Sequence, residues 1–125
     1  ITLPSVEMIG VRAFRRVPKV HRVYISSKNL TTIKKGAFRE CTGMTKFNVV
    51  STKLNSLQKY ALYGNSKLKT IIFKSEHLTK SNVGSKTFSG IKSTATFTVP
   101  AGSVQNYKDL FKSKGAGSKF KVKSL

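Results

Sequence analysis

The chain has 125 residues, 24 of them Lys or Arg against four acids (Glu7, Glu40, Glu76 and Asp109), for a net charge of +20. That length suits a single domain, and the charge favours anionic partners such as glycans, cell-wall polymers, nucleic acid or acidic proteins. The lone Cys41 excludes an internal disulfide, and no apolar run approaches the roughly 18 residues of a membrane-crossing helix.

In chain order, Ile1-Thr-Leu-Pro4 aligns with Phe97-Thr-Val-Pro100. Ile1 thus falls where Ile25 stands one unit later. Residues 1–5 read as the end of an upstream unit, so we expect the array to extend upstream of Ile1. Val6-Glu-Met-Ile9-Gly-Val-Arg-Ala13-Phe14 then opens a pattern that returns 24 residues on as Leu30, Ile33, Ala37 and Phe38, and again as Leu54, Leu57, Ala61 and Leu62. Leu78, Val83, Thr87 and Phe88 open a fourth copy. A fixed period of this length marks a solenoid, whose units bury their apolar sides only against one another. The units are 6–29, 30–53, 54–77 and 78–99.

Within each unit the apolar spacing i, i+4, i+5 (Ile9, Ala13, Phe14) predicts a short helical or 3₁₀ turn. A turn follows, at Val17-Pro18-Lys19, Thr42-Gly43, Gly64-Asn65-Ser66 or Gly90. Next comes period-two alternation, Val23/Ile25, Phe47/Val49, Ile71/Phe73 and Ala95/Phe97, which reads as one half-buried strand per unit, stacked into a parallel sheet. In the fourth unit Leu78 to Val83 is two residues longer than Leu54 to Leu57, and Phe88 to Phe97 is two shorter than Leu62 to Phe73. The two changes are expected to cancel and return the strand to register. Cys41 occupies the slot of Val17, Asn65 and Ile91, which predicts a buried structural thiol.

After Pro100 the pattern changes. Ser103 suits a helix N-cap, Val104, Tyr107, Leu110 and Phe111 fall on one helical face, and Gly115 or Gly117 can end the helix. Phe120-Lys-Val122-Lys then alternates as a last strand. Residues 100–125 are therefore expected to cap the open end of the core and its sheet edge. The predicted fold is an α/β solenoid: 24-residue repeats over 1–99 with a parallel sheet, closed by a helix-strand cap over 100–125.

The pattern Val6-x-x-Ile9-Gly10-x-x-Ala13-Phe14, the cysteine slot in Phe38-Arg-Glu-Cys41-Thr-Gly-Met44, and the closing Val99-Pro-Ala-Gly-Ser103 with Tyr107-Lys108 resemble the BspA-like leucine-rich repeats. The resemblance covers essentially the whole chain. It implies a surface-exposed or secreted, adhesin-like binding module whose partner is a host matrix protein, another cell-surface protein or an anionic glycan. It carries no particular ligand over to this chain, which is more basic than is usual for the family.

Strand alternation assigns the outward ladders as Arg22-Lys46-Thr70-Thr94, Tyr24-Asn48-Ile72-Thr96 and Ser26-Val50-Lys74-Thr98. Arg22, Tyr24, Lys46, Asn48, Ile72 and Lys74 form the candidate ligand face, where exposed apolar groups stand among cations. A second candidate is an anion-binding surface on the turn side, from Arg12, Arg15, Arg16, Lys19, Lys34, Lys35 and Arg39, with Arg suited to bidentate pairing with sulfate or phosphate. Lysines 108, 112, 114, 119, 121 and 123 make the cap a third cationic surface.

The residues for chemistry are not grouped in the sequence. The four carboxylates lie in separate segments; Glu40 and Glu76 make no convincing glycosidase pair. His21 and His77 lack Cys or acid partners at metal-ligand spacing, so no metal and no cofactor is expected. The glycines form no phosphate-cradling loop. The expected class is therefore a non-enzymatic binding module. A structural spacer presenting an upstream domain and nonspecific polyanion or nucleic-acid binding by the basic body stand as alternatives. Against the latter, the charge is diffuse and no nucleic-acid motif is present.

Overall fold

Each of the first three coils of the solenoid carries two strands, and the fourth one strand and a bridge, where the sequence predicts one strand and one helical turn. The computed structural model describes all residues, 1–125. Chain order runs β1 (Met8–Ile9), β2 (Arg22–Ile25), β3 (Thr32–Ile33), β4 (Lys46–Val49), β5 (Ser56–Leu57), β6 (Thr70–Phe73), β7 (Thr96–Val99), a 3₁₀ turn (Ala101–Ser103), α1 (Val104–Ser113) and β8 (Lys121–Ser124). The longer strands form a five-stranded parallel sheet in the order β2-β4-β6-β7-β8. The two-residue strands form a second parallel sheet, β1-β3-β5, which Val83 extends by a bridge to Leu57. Residues 1–3 run beside β2, with Thr2 opposite Tyr24.

The helical turn is absent because left-handed residues interrupt it. Arg12, Tyr60 and Lys86 have φ between +54° and +63°, and Gly36 holds the same position in its coil at +64°. Arg16 and Glu40, both at +57°, begin a second such column that Gly64 and Gly90 continue. Left-handed residues cannot propagate a right-handed helix. The turn amides bond the next coil instead: Phe14 N donates to Ala37 O at 2.7 Å, Phe38 N to Ala61 O at 2.9 Å, Leu62 N to Thr87 O at 3.1 Å, and Phe88 N to Lys114 O at 2.9 Å. The intervening amides bond within the turn, as Ala13 N does to Gly10 O and Arg15 N to Arg12 O, so the obligatory backbone bonds are met alternately between coils and within single turns.

The sheet register follows the 24-residue period from β2 through β6, where Val23 pairs Phe47 and Phe47 pairs Ile71. It then departs from the expected one. Ile71 pairs Phe97, not Ala95, and Thr70 pairs Thr96, not Thr94. The two extra residues between Leu78 and Val83 are kept, so the fourth coil advances by two. A shift of two leaves the inward face unchanged, and Phe97 and Val99 are both fully buried.

Between the sheets and turns lies one apolar core that runs the length of the molecule. Its centre is a chain of aromatic contacts. Phe14 stacks on Phe38 at 5.1 Å, Phe38 meets Phe47 edge-on at 5.1 Å, and Phe47 meets Phe73 at 6.4 Å. At the cap end Phe111 of α1 packs on Phe73, Phe88 and Phe97, the last at 4.1 Å. The cap takes the expected order, and Gly115, at φ +107°, follows the helix end. Ser103 precedes α1 as expected, but its side chain makes no capping bond.

Buried polar residues form a second staircase. Ser27, Ser51 and Ser75 lie 24 residues apart, each almost wholly buried. Their hydroxyls donate to the carbonyls of Val6, Leu30 and Leu54 and accept the amides of Asn29, Lys53 and His77. Tyr107 ends the series: its hydroxyl donates to Ser75 O at 2.7 Å and accepts Leu78 N at 3.2 Å. In the neighbouring slot Cys41 Sγ donates to Phe14 O at 2.9 Å, and Asn65 Nδ2 donates to Phe38 O at 2.9 Å. Both close a carbonyl 27 residues upstream.

Candidate ligand-binding surface

The outward side of the five-stranded sheet carries two columns of side chains. One is Arg22, Lys46, Thr70, Thr96 and Lys121; the other is Tyr24, Asn48, Ile72, Thr98 and Lys123. Parallel strands place successive rungs about 4.8 Å apart. Arg22, Tyr24 and Lys46 are exposed, Asn48 and Ile72 half-buried. Lys74 is exposed just beyond β6 and outside the strand pairing. Tyr24 is 44% exposed, one of few large apolar groups open to solvent. Asn48 Oδ1 is buried without a hydrogen-bond partner.

The structure therefore brings Arg22 beside Lys46, and Tyr24, Asn48 and Ile72 into one row. It also adds Lys121 and Lys123, which the sequence assigns to an edge strand rather than to this face. One column starts with two cations, Arg22 and Lys46, and the other with Tyr24; both end in a lysine and are uncharged in the middle, at Thr70, Thr96, Ile72 and Thr98. A ligand spanning the face would meet charge at its two ends and hydroxyl and methyl groups at its centre.

The turn side is organised differently. Glu40 accepts Arg16 Nε at 3.4 Å and Arg39 Nε at 3.1 Å. These are the two ion pairs of the whole chain. The Arg39 guanidinium also lies 4.7 Å from the ring centres of both Tyr60 and Tyr63, which meet edge-on at 5.2 Å, and Lys59 Nζ stands 4.9 Å from Tyr60. Cations over aromatic faces are held by the ring quadrupole. Arg16 and Arg39 are thus joined through Glu40, with Arg39 further clamped by two tyrosines. Arg12, Lys19 and Lys35 are exposed, Lys34 is half-buried, and Arg15 buries an Nε that has no partner. No sequence motif singles out Tyr60, Tyr63 or Lys59. Two tyrosines three apart, opposite an arginine one coil earlier, were the available signal.

Since both ion pairs converge on Glu40, nearly all the cations lack an anionic partner within the chain. No group of three or more His, Cys, Asp or Glu residues is gathered in metal-binding geometry. No helix is long and apolar enough to cross a membrane. Burial pushes the Cys41 thiol above its ordinary range, partly offset by a backbone bond at Val17. A raised pKa makes an inert structural thiol, not a nucleophile.

Short parallel coils, a continuous apolar spine and a terminal cap define a leucine-rich-repeat solenoid, a fold generally used for protein interaction rather than catalysis. The chain belongs to the BspA-type leucine-rich-repeat family: the model for the BspA type leucine rich repeat region matches it in six copies over residues 1–118. Proteins of this family are typically extracellular or surface proteins. No curated protein and no solved structure matches the chain.

Proposed function

We propose that this chain is a non-enzymatic adhesion or recognition module of a secreted or cell-surface protein, and that its partner is a host matrix protein, a cell-surface protein or an anionic glycan. The observation that carries this reading is the outward sheet face. Arg22, Lys46, Lys121 and Lys123 have no ion-pair partner there, and Tyr24 and Ile72 offer apolar contact beside them. Long-range attraction of the body brings anionic partners in, and the aromatic and Arg side chains of one face supply contacts that survive screening.

The test is binding of the chain to fibronectin, fibrinogen, heparin and duplex DNA at about 50 and about 300 mM salt. The expected result is one partner retained at the higher salt, with its affinity lost when Arg22, Lys46 and Lys74 are changed to Glu. Uniform binding to every polyanion that vanishes at the higher salt would reject specific recognition by this face.

A further inference from the structure

The last strand, β8, ends the five-stranded sheet with one edge unpaired. Lys121 N donates to Ala95 O at 2.9 Å and Leu125 N to Val99 O at 2.8 Å. The alternation of a parallel ladder therefore turns the amides and carbonyls of Val122 and Ser124 away from β7. These are the groups a further strand would pair.

A groove of about 690 Å³ lies along this edge, between β8 and α1. Lys121 and Lys123 line it from the outward side of the strand beside Thr96 of β7, and Val122 and Phe120 from the other, so it wraps around the edge. Lys108 and Lys112 line it from α1, one helical turn apart. The single acid in the lining is Asp109. Four lysines thus surround a short apolar floor and an open backbone ladder.

We propose that this groove docks an extended acidic segment of a partner protein, added to the sheet as a sixth strand beside β8. The backbone of such a segment would pair with Val122 and Ser124. Its acidic side chains would meet the four lysines, and alternate apolar side chains would rest on Phe120 and Val122. A second copy of this chain is a poor occupant, because at net charge +20 its approach is repelled. A glycan has no alternating amide ladder to match the edge. The lysines that reject basic or neutral strands also select an acidic one.

The test uses the full chain and a synthetic heptapeptide of alternating Glu and Val, capped at both ends. Controls are the same peptide with Lys in place of Glu, and one with a central Pro. Affinity is measured by calorimetry, and amide exchange by NMR. The heptapeptide is expected to bind, to slow exchange at the Val122 and Ser124 amides, and to outbind both control peptides. Ser124→Pro removes only an outward amide from an exposed position and should weaken binding about tenfold or more, as should Lys108→Glu with Lys112→Glu. Arg22→Glu with Lys46→Glu should leave it within about twofold, which separates this groove from the sheet-face site. Unprotected Val122 and Ser124 amides in the peptide-saturated chain, or equal affinity for the Pro-interrupted peptide, would overturn the proposal. So would tight binding of a heparin oligosaccharide that depends on Lys108 and Lys112 and is indifferent to Ser124→Pro.

Discussion

Ser51 illustrates how single residues hold the coils together. Its hydroxyl, 1% exposed, donates to Leu30 O at 2.8 Å, with Lys28 O a second acceptor within reach at 3.1 Å, and accepts the amide of Lys53. Removing the hydroxyl leaves buried backbone groups unpaired, at a cost of about 1–3 kcal/mol. Ser51→Ala is expected to lower the unfolding free energy by that amount in urea melts, and the exposed neighbour Thr52→Ala by less than about 0.5 kcal/mol. Cys41 gives a pH signature. Its folded thiol titrates higher than usual because burial disfavours the thiolate. Above about pH 8.5 an unfolded thiol releases its proton while the folded one keeps it, so its contribution to stability is full below that pH and is lost as pH rises toward the folded value. Between about pH 8 and pH 10, wild type should lose more stability than Cys41→Val, with lysine deprotonation common to both cancelling in the difference. The serine staircase was visible in the sequence at positions 27, 51 and 75. Yet serines beside turns read as turn residues, because composition does not reveal which hydroxyls face inward.

At the scale of elements, the alternating strands and the apolar face of α1 were legible, since period two and period 3.6 report directly which side chains are buried. The helical turn was not. Ile9 is buried and Phe14 packs against the core, but Ala13 is exposed, and the left-handed positions held by Gly36, Gly64 and Gly90 in later coils are filled by Arg12 and Arg16 in the first, so no single unit marked the break consistently. The register of β7 failed for a related reason. Offsets of 24 and 26 keep the same residues inward, so burial patterning cannot choose between them. A cysteine pair can. Thr70→Cys with Thr96→Cys should form a disulfide on mild oxidation, because directly opposed residues of neighbouring strands lie within bridging distance. Thr70→Cys with Thr94→Cys should not, and the reverse outcome would restore the 24-residue register. The aromatic spine gives a stability test. Phe47 sits fully buried between Phe38 and Phe73, and Phe47→Ala is expected to cost about 3–5 kcal/mol in denaturant unfolding.

At the scale of the whole molecule, stability and function draw on different residues. The core is a one-dimensional stack in which each coil rests on its neighbours, and the cap closes it with Tyr107, Leu110 and Phe111. The cations stand outside that stack, almost all without an acidic partner, so self-repulsion is a cost the apolar spine must offset. Part of the candidate surface could be read from the sequence, because outward strand residues follow once inward ones are known: Arg22, Tyr24, Lys46, Asn48 and Ile72 occupy such positions. The rest depended on contacts between coils. Lys121 and Lys123 join the sheet face only because β8 pairs with β7, and Arg16 and Arg39 are drawn together only because the coils set both beside Glu40.

The most direct measurement of the central claim uses whichever of fibronectin, fibrinogen and heparin the chain retains at the higher salt, and compares its binding to three variants with equal loss of charge. Arg22, Lys46 and Lys74 are reversed to Glu in the first; Arg12, Lys19 and Lys35 in the second; Lys108, Lys112 and Lys114 in the third. At about 150 mM salt, where distant surface charges are screened, the first variant is expected to lose binding by about a hundredfold while the other two stay within about threefold of wild type. Equal losses in all three would mean that net charge alone attracts the partner, and would contradict recognition by the sheet face.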